Sequence, residues 1–249
     1  MPHFFIKSAD ITDNQVIIKD KDNYNHIARS LRARIGENLL LVDENQVQYE
    51  TFIKSITKDS IISDIKKSYP SKRKLDFELY LAQSPLRSDS QSVIIEKACE
   101  LGAAGVYPIL TDNCAVAKST VEKKIPKWQK IMFEASKQCE RADIPECYPN
   151  TDLKTLVSSG KFTHIIAFCE RIASKTLKAY IGENPAVFKD SKVLVIIGPE
   201  GGFSDREFEF FKNSNISMLT LGDLILKAET ATIVALGNIV YEYINSRKN

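Results

Sequence analysis

The stretch IGPEGGFSDRE, residues 197–207, gathers Gly198, Pro199, Gly201 and Gly202 around Glu200, at the end of the apolar run 193–197. Glycine at this density either lets the backbone come within hydrogen-bonding distance of a ligand or makes a tight turn with no ligand at all. Phosphate is a poor guest. The loop lacks the Lys-Ser/Thr ending of a nucleotide P-loop and the GxGxxG spacing, and the charge of Glu200 would repel a pyrophosphate. A second segment, LGDLILKAETATIVALGNIVYEYI at 221–244, carries Ile225 and Leu226 between polar residues, ahead of a helix with the apolar face Ile233, Leu236, Val240 and Ile244. Core packing accounts for that face but not for two apolar side chains in a loop. Loop backbone with aliphatic chains suits a flat heterocycle such as adenine, read by main-chain groups and covered by hydrocarbon.

The elements that position these loops follow from pattern. KVLVIIG reads as a strand ending at the glycine loop, and Ser204 with Glu207 three residues on forms an SxxE capping box that opens the helix SDREFEFFKN. The loop thus sits at the carboxyl edge of an α/β sheet, where such folds bind ligands. Around it, LDFELYLAQSP (75–85), GVYPIL, FTHIIAF and SMLTLG read as strands, and SDSQSVIIEKACELG (88–102) and about 119–141 as helices. This alternation predicts a mainly parallel α/β sheet covered on both faces. Residues 4–65 differ: FFI, QVII (15–18), ENLLLVD (37–43), QVQYETFIKSI (46–56) and DSIISDI (59–65) are short β runs parted by turn residues, the pattern of a small barrel. SYPSKRK, 68–74, is polar and proline-bearing and reads as the linker between a domain over 1–70 and a second over 75–249.

Composition narrows the function classes. The chain of 249 residues is 43% hydrophobic, enough for real cores, yet no run reaches the ~18–20 apolar residues of a membrane span. Met1–Ile6 is too short for a signal peptide, so a cytoplasmic location with no membrane partner is the expectation. The five cysteines, Cys99, Cys114, Cys139, Cys147 and Cys169, show neither CxxC nor another zinc spacing, which points to buried thiols with no metal site. A net charge of only +2 means that any nucleic-acid footprint must be local.

IGPEGGFSDRE, LGDLILKAETA, IEKACELGAAGVYPIL and FEASKQCERADIPE (133–146) together resemble the SPOUT methyltransferase family that methylates N3 of a uridine in small-subunit 16S ribosomal RNA. HIARSLRARIGE, 26–37, is similar to that family's PUA-like RNA-binding domain, so the resemblance spans nearly the whole chain. It implies a trefoil-knotted S-adenosylmethionine-binding α/β domain preceded by a PUA-like β-barrel, and a homodimer with active sites at the subunit interface. It implies a cofactor pocket of three loops: Phe168, Cys169 and Glu170; Gly198, Pro199, Glu200 and Gly201; Leu221, Gly222, Ile225 and Leu226. Where the family reads LGxRILRxETA, this chain has Leu224 and Lys227 in place of two arginines, so Lys227 keeps the charge without the planar fork and Leu224 loses it.

Methylating a uracil nitrogen requires that N3 lose its proton, after which charge spreads onto O2 and O4. The site therefore needs alignment and a helper for the developing anion. Arg141 is the candidate for that helper, with Gln138 holding a carbonyl edge and Glu200 or Glu229 accepting the proton. Each has a plainer alternative: Glu229 favours its helix's amino end, and Arg141 pairs with Glu140 or Asp143. For RNA contact, His26, Arg29, Arg32 and Arg34 place four potential cations within nine residues, a local phosphate footprint or else a solvated face, and Lys227 joins them from the third loop. A ribose 2′-O-methyltransferase of the same superfamily and a non-catalytic RNA-binding assembly factor are the rival readings.

Overall fold

The β-branched runs of the first seventy residues do form strands. The structure, a computed structural model, describes residues 3–71, 75–87, 89–170 and 172–247. The chain forms two units, Met1–Lys74 with Glu134–Ile144, and Leu75–Phe133 with Pro145–Asn249.

In the first unit β1 (His3–Phe5), β2 (Ile11–Thr12), β3 (Gln15–Ile18), β4 (Asn38–Val42), β5 (Val47–Ile56) and β6 (Ile61–Pro70) make one sheet in the order β1-β4-β5-β6-β3-β2. Only β1 with β4 is parallel. Alternate residues turn inward, so Phe4, Val16, Ile18, Leu39, Leu41, Ile53 and Ile61 share one core. Register shifts at Glu50/Thr51 and Ile53/Ser55 bend the long β5–β6 pair. Asp43 closes the β4–β5 hairpin: its Oδ1 accepts from the Asn45 and Val47 N–H groups at 3.0 and 2.9 Å, and its Oδ2 from the Tyr49 hydroxyl at 2.9 Å.

Two boundaries differ from the sequence expectation. SYP does not belong to a linker, because β6 runs to Pro70, where Tyr69 and Pro70 pair with Gln48 and Val47 of β5. A terminal residue is where a strand tolerates proline. Lys72–Lys74 of the expected linker lie outside the described residues. The second boundary is the end of α3 (Lys118–Gln138), which stops three residues before the expected 141. Glu140 takes φ +60°, and the Arg141 N–H donates to the Ser136 carbonyl five residues back at 3.0 Å, a Schellman termination with glutamate where glycine is usual.

The second unit holds β7 (Glu78–Gln83), α2 (Ser90–Glu100), β8 (Gly105–Leu110), β9 (Glu146–Cys147), β10 (Thr151–Asp152), α4 (Leu153–Val157), β11 (His164–Phe168), α5 (Leu177–Glu183), β12 (Lys192–Ile197), α6 (Asp205–Asn213), β13 (Ser217–Leu219) and α7 (Ala228–Ser246); α1 (Lys21–Tyr24) lies in the first unit. Every pairing of its sheet is parallel, in the order β10-β8-β7-β12-β11-β13, with β9 beside β8. Leu79, Leu81, Val193 and Val195 enter a core with α2 and α7, while Tyr80, Ala82, Leu194 and Ile196 enter another with α4 and α6. Burial on both faces is why KVLVII is apolar at five consecutive positions. Among the described residues no helix is long and apolar enough to cross a membrane.

Candidate active site

Parallel strands deliver their carboxyl ends to one edge of a sheet, and here the ends of β11, β12 and β13 lead into three loops that wall a cleft of about 910 Å³. This is within the range of small-molecule sites, ~300–1,000 Å³. Phe168, Cys169, Glu170, Gly198, Pro199, Glu200, Gly201, Leu221, Ile225 and Leu226 all line it, as do Lys227 and Glu229. Gly222 does not line it. It shapes the third loop instead, with φ +129° and its N–H donating to Thr220 Oγ1 at 3.1 Å. Leu224 is 78% exposed and Ile225 64%.

The glycine loop is built from the helix that follows it. Ser204 caps α6 by accepting from the Glu207 N–H, and the Glu207 carboxylate accepts from the Ser204 N–H at 2.8 Å, which completes the capping box. The other Glu207 oxygen accepts from the Asp112 N–H at 3.0 Å, and Asp112 accepts from Ser204 Oγ at 2.6 Å and pairs with Arg206. Through these bonds the loop after β8 braces the start of α6. A Cβ at Gly198 would lie 3.3 Å from the Phe203 ring, which would have to shift by a few tenths of an ångström to admit it. At Gly201 a Cβ would meet the Cβ of Asn113 at 3.1 Å, so the close neighbour at this position is another loop.

The cleft is acidic. Glu170, Glu200, Asp205 and Glu229 face it with Lys227 as the one basic residue among the described lining. Glu200 Oε1 accepts from the Arg87 N–H at 3.2 Å, and Glu170 Oε1 accepts from the Leu226 N–H at 3.3 Å, tying the first loop to the third. Glu229 stands in the first turn of α7 and Asp205 in that of α6, where the helix dipole favours negative charge. Burial, and then the neighbouring Glu170 charge, push the Cys169 thiol up to about 12, so it stays protonated and serves as apolar wall.

Gln138 and Arg141 fall in the segment that groups with the first unit and are not among the residues lining the cleft. The Arg141 guanidinium makes a two-point contact with Asp143, Nη2 to Oδ2 at 2.6 Å and Nε to Oδ1 at 3.3 Å, with its side chain 12% exposed. Its carbonyl accepts from His3 Nδ1 at 3.2 Å. In the same unit Arg29, Arg32 and Arg34 are exposed, and Arg32 has φ +52°. His26 is half-buried, edge-on to Phe4 at 5.3 Å, while Ile27 anchors the segment in the core. Sequence reasoning missed Phe203, Phe208 and Asp205 in the cleft wall. The signal was present, since Phe208 and Phe211 are spaced on one face of α6 and pack with Phe203.

Residues 73–240 match the family described as RNA methyltransferase domain, and residues 18–66 match the RNA methyltransferase PUA domain. Ribosomal RNA small subunit methyltransferase E of Mesomycoplasma hyopneumoniae is 30% identical over 213 residues, 85% of this chain and 88% of that protein. The protein of the same name from Bacillus subtilis is 25% identical over 225 residues, covering 89% and 88%. A methyltransferase from Legionella pneumophila, solved with bound S-adenosylmethionine, matches with a TM-score of 0.81 at 26% identity, covering 96% of each chain.

Proposed function

The chain belongs to the RNA methyltransferase family, and on that premise we propose that it transfers a methyl group from S-adenosylmethionine to N3 of a uridine in 16S ribosomal RNA of the small subunit. It is an S-adenosylmethionine-dependent RNA methyltransferase, and its substrate is small-subunit ribosomal RNA. The observation that carries the site assignment is the acidic cleft of about 910 Å³ walled by the three loops. A sulfonium and an ammonium group find four carboxylates there, and aliphatic walls from Ile225 and Leu226 fit a purine.

When bound, the cofactor supplies a methyl group on a positively charged sulfur. This chain's residues would hold it by the loops around Glu170, Gly201 and Leu226. Glu200 or Glu229 takes the N3 proton and so frees the nitrogen lone pair for the methyl group that the cofactor would supply. Arg141, with Gln138, stabilises the charge on the uracil oxygens, and Asp143 orients the guanidinium. Arg29, Arg32 and Arg34, exposed on the first unit, with His26 and Lys227, grip RNA phosphates.

The domains are read as a PUA-like barrel over 1–70 and a knotted domain over 75–249. The knot rests on the resemblance of the glycine loop and the third loop to the SPOUT family. A homodimer fits the apolar residues left exposed, Leu224 and Ile225 in the third loop and Tyr241 and Ile244 on α7. The protein would act in the cytoplasm, where small subunits are assembled. The test is incubation of purified protein and S-adenosylmethionine with naked 16S RNA and with small subunits, followed by mass analysis of the nucleosides. N3-methyluridine is expected. A 2′-O-methylated nucleoside would move the assignment to a ribose methyltransferase, and no methylated product on either substrate would leave an assembly factor.

A further inference from the structure

The carbonyl groups of the glycine loop are held by two carboxamide side chains that lie outside the lining of the cleft. Gln83, the last residue of β7 and fully buried, donates through Nε2 to the Gly198 carbonyl at 3.2 Å and to the Ser84 carbonyl at 2.8 Å. Its Oε1 accepts from the Thr232 hydroxyl of α7 at 2.6 Å. Asn113, in the loop after β8, donates through Nδ2 to the Gly201 carbonyl at 3.2 Å and the Gly202 carbonyl at 3.1 Å. The Pro199 carbonyl is taken by the Gly202 N–H at 2.9 Å, across a turn that Gly202 closes with φ +68°. Among the described residues the N–H groups of Glu200 and Gly201 have no protein acceptor, and both residues line the cleft.

A chain whose carbonyls are engaged on the protein side is left with donors for the ligand side. We propose that Gln83 and Asn113 are positioning residues for the cofactor: they engage the loop carbonyls and thereby present the Glu200 and Gly201 N–H groups to acceptor atoms of S-adenosylmethionine. Two physical points support this. A glycine-rich segment has the most conformational freedom to lose, so a loop ordered before the ligand arrives binds it more tightly. Through Thr232, Gln83 also joins the loop to α7, whose N-cap Lys227 and first-turn Glu229 line the same cleft, so the cofactor loop and that helix are held in one register. The proposal rests on the cofactor reading above.

The experiment pairs calorimetric titration of S-adenosylmethionine with hydrogen exchange of residues 198–203 in the ligand-free protein. Asn113 is exposed, so Asn113→Ala leaves the fold intact. Removing its two bonds should weaken binding by about tenfold. Asn113→Asp should weaken it further, because a carboxylate oxygen would face two carbonyl oxygens. Both should speed exchange in the loop and leave β7, β12 and the melting temperature unchanged. For the buried arm, Thr232→Val should loosen the loop, with Thr232→Ser behaving as the unsubstituted protein. Unchanged affinity and unchanged loop exchange in the Asn113 variants would overturn the proposal, as would an affinity loss that merely tracks the melting temperature. Failure of the unsubstituted protein to bind S-adenosylmethionine would overturn the cofactor reading itself. Loop exchange would then judge the two amides alone, an unaltered rate counting against them.

Discussion

Substituting Gly201 by valine tests whether the glycine loop is the cofactor's seat. A Cβ at position 201 stands 3.1 Å from the Asn113 Cβ and 3.6 Å from the Asn113 carbonyl oxygen. Carbon pairs settle at about 3.5–4.0 Å, so one of the two loops must retreat by roughly half an ångström. Asn113 is bonded to the Gly201 and Gly202 carbonyls at 3.2 and 3.1 Å, and retreat stretches both bonds. Overpacking of this kind costs about 1–3 kcal/mol. The strain falls on a surface loop, so it reduces the population of the binding-competent loop and leaves the melting temperature little changed. Converted to affinity, it weakens S-adenosylmethionine binding by about five- to 150-fold. Titration calorimetry reads the change directly. In an Asn113→Gly background the same valine should cost less, because the atom it meets is gone. Binding that is unchanged in Gly201→Val, or a penalty independent of residue 113, would refute the reasoning.

Arg141→Ala should lower the single-turnover methylation rate at saturating S-adenosylmethionine by about a hundredfold while RNA affinity holds, since its contact strengthens as charge develops. Alanine at Arg29, Arg32 and Arg34 should do the reverse, weakening RNA binding and making its logarithmic salt slope shallower by roughly two, with the saturated rate preserved. Asp112 is held below its ordinary value of 3.8, first by the Arg206 hydrogen bond and then by Ser204. A carboxylate so depressed stabilises the fold fully above 3.8 and loses that contribution as pH falls through its lower folded value. The melting temperature of the unsubstituted protein should therefore fall more steeply in that acid window than that of Asp112→Asn. Light scattering at micromolar concentration should give twice the mass of one chain, and a monomer with full activity would exclude the shared-site dimer.

What could be read from sequence was what is decided locally. The capping box at Ser204 and Glu207 needs only four consecutive residues, and the apolar run of β12 follows from burial on both faces. The end of α3 was illegible because its stop is a left-handed Glu140, a conformation the sequence would normally signal with glycine or asparagine. The side chain packed against Gly201 was illegible for a different reason. A glycine announces close approach but not what approaches, and Asn113 lies 88 positions away in the chain. Strand order is likewise a matter of distant pairing. Nothing in KVLVII says that it enters between β7 and β11.

The proposed roles divide a chain of nearly balanced charge between two kinds of surface. Among the described residues four carboxylates and a single lysine face the cleft, which favours a cationic cofactor and resists the phosphates on either side of a target nucleotide. RNA affinity must then come from other cations, the part proposed for Arg29, Arg32 and Arg34, which are exposed on the first unit. Replacement of the family's arginine by Leu224 moves in the same direction, because the third loop keeps Lys227 as its only cation. Weak phosphate attraction at the cleft costs ground-state affinity but not rate. A cation that acts only on the uracil anion, the part proposed for Arg141, stabilises the transition state without trapping unreacted RNA.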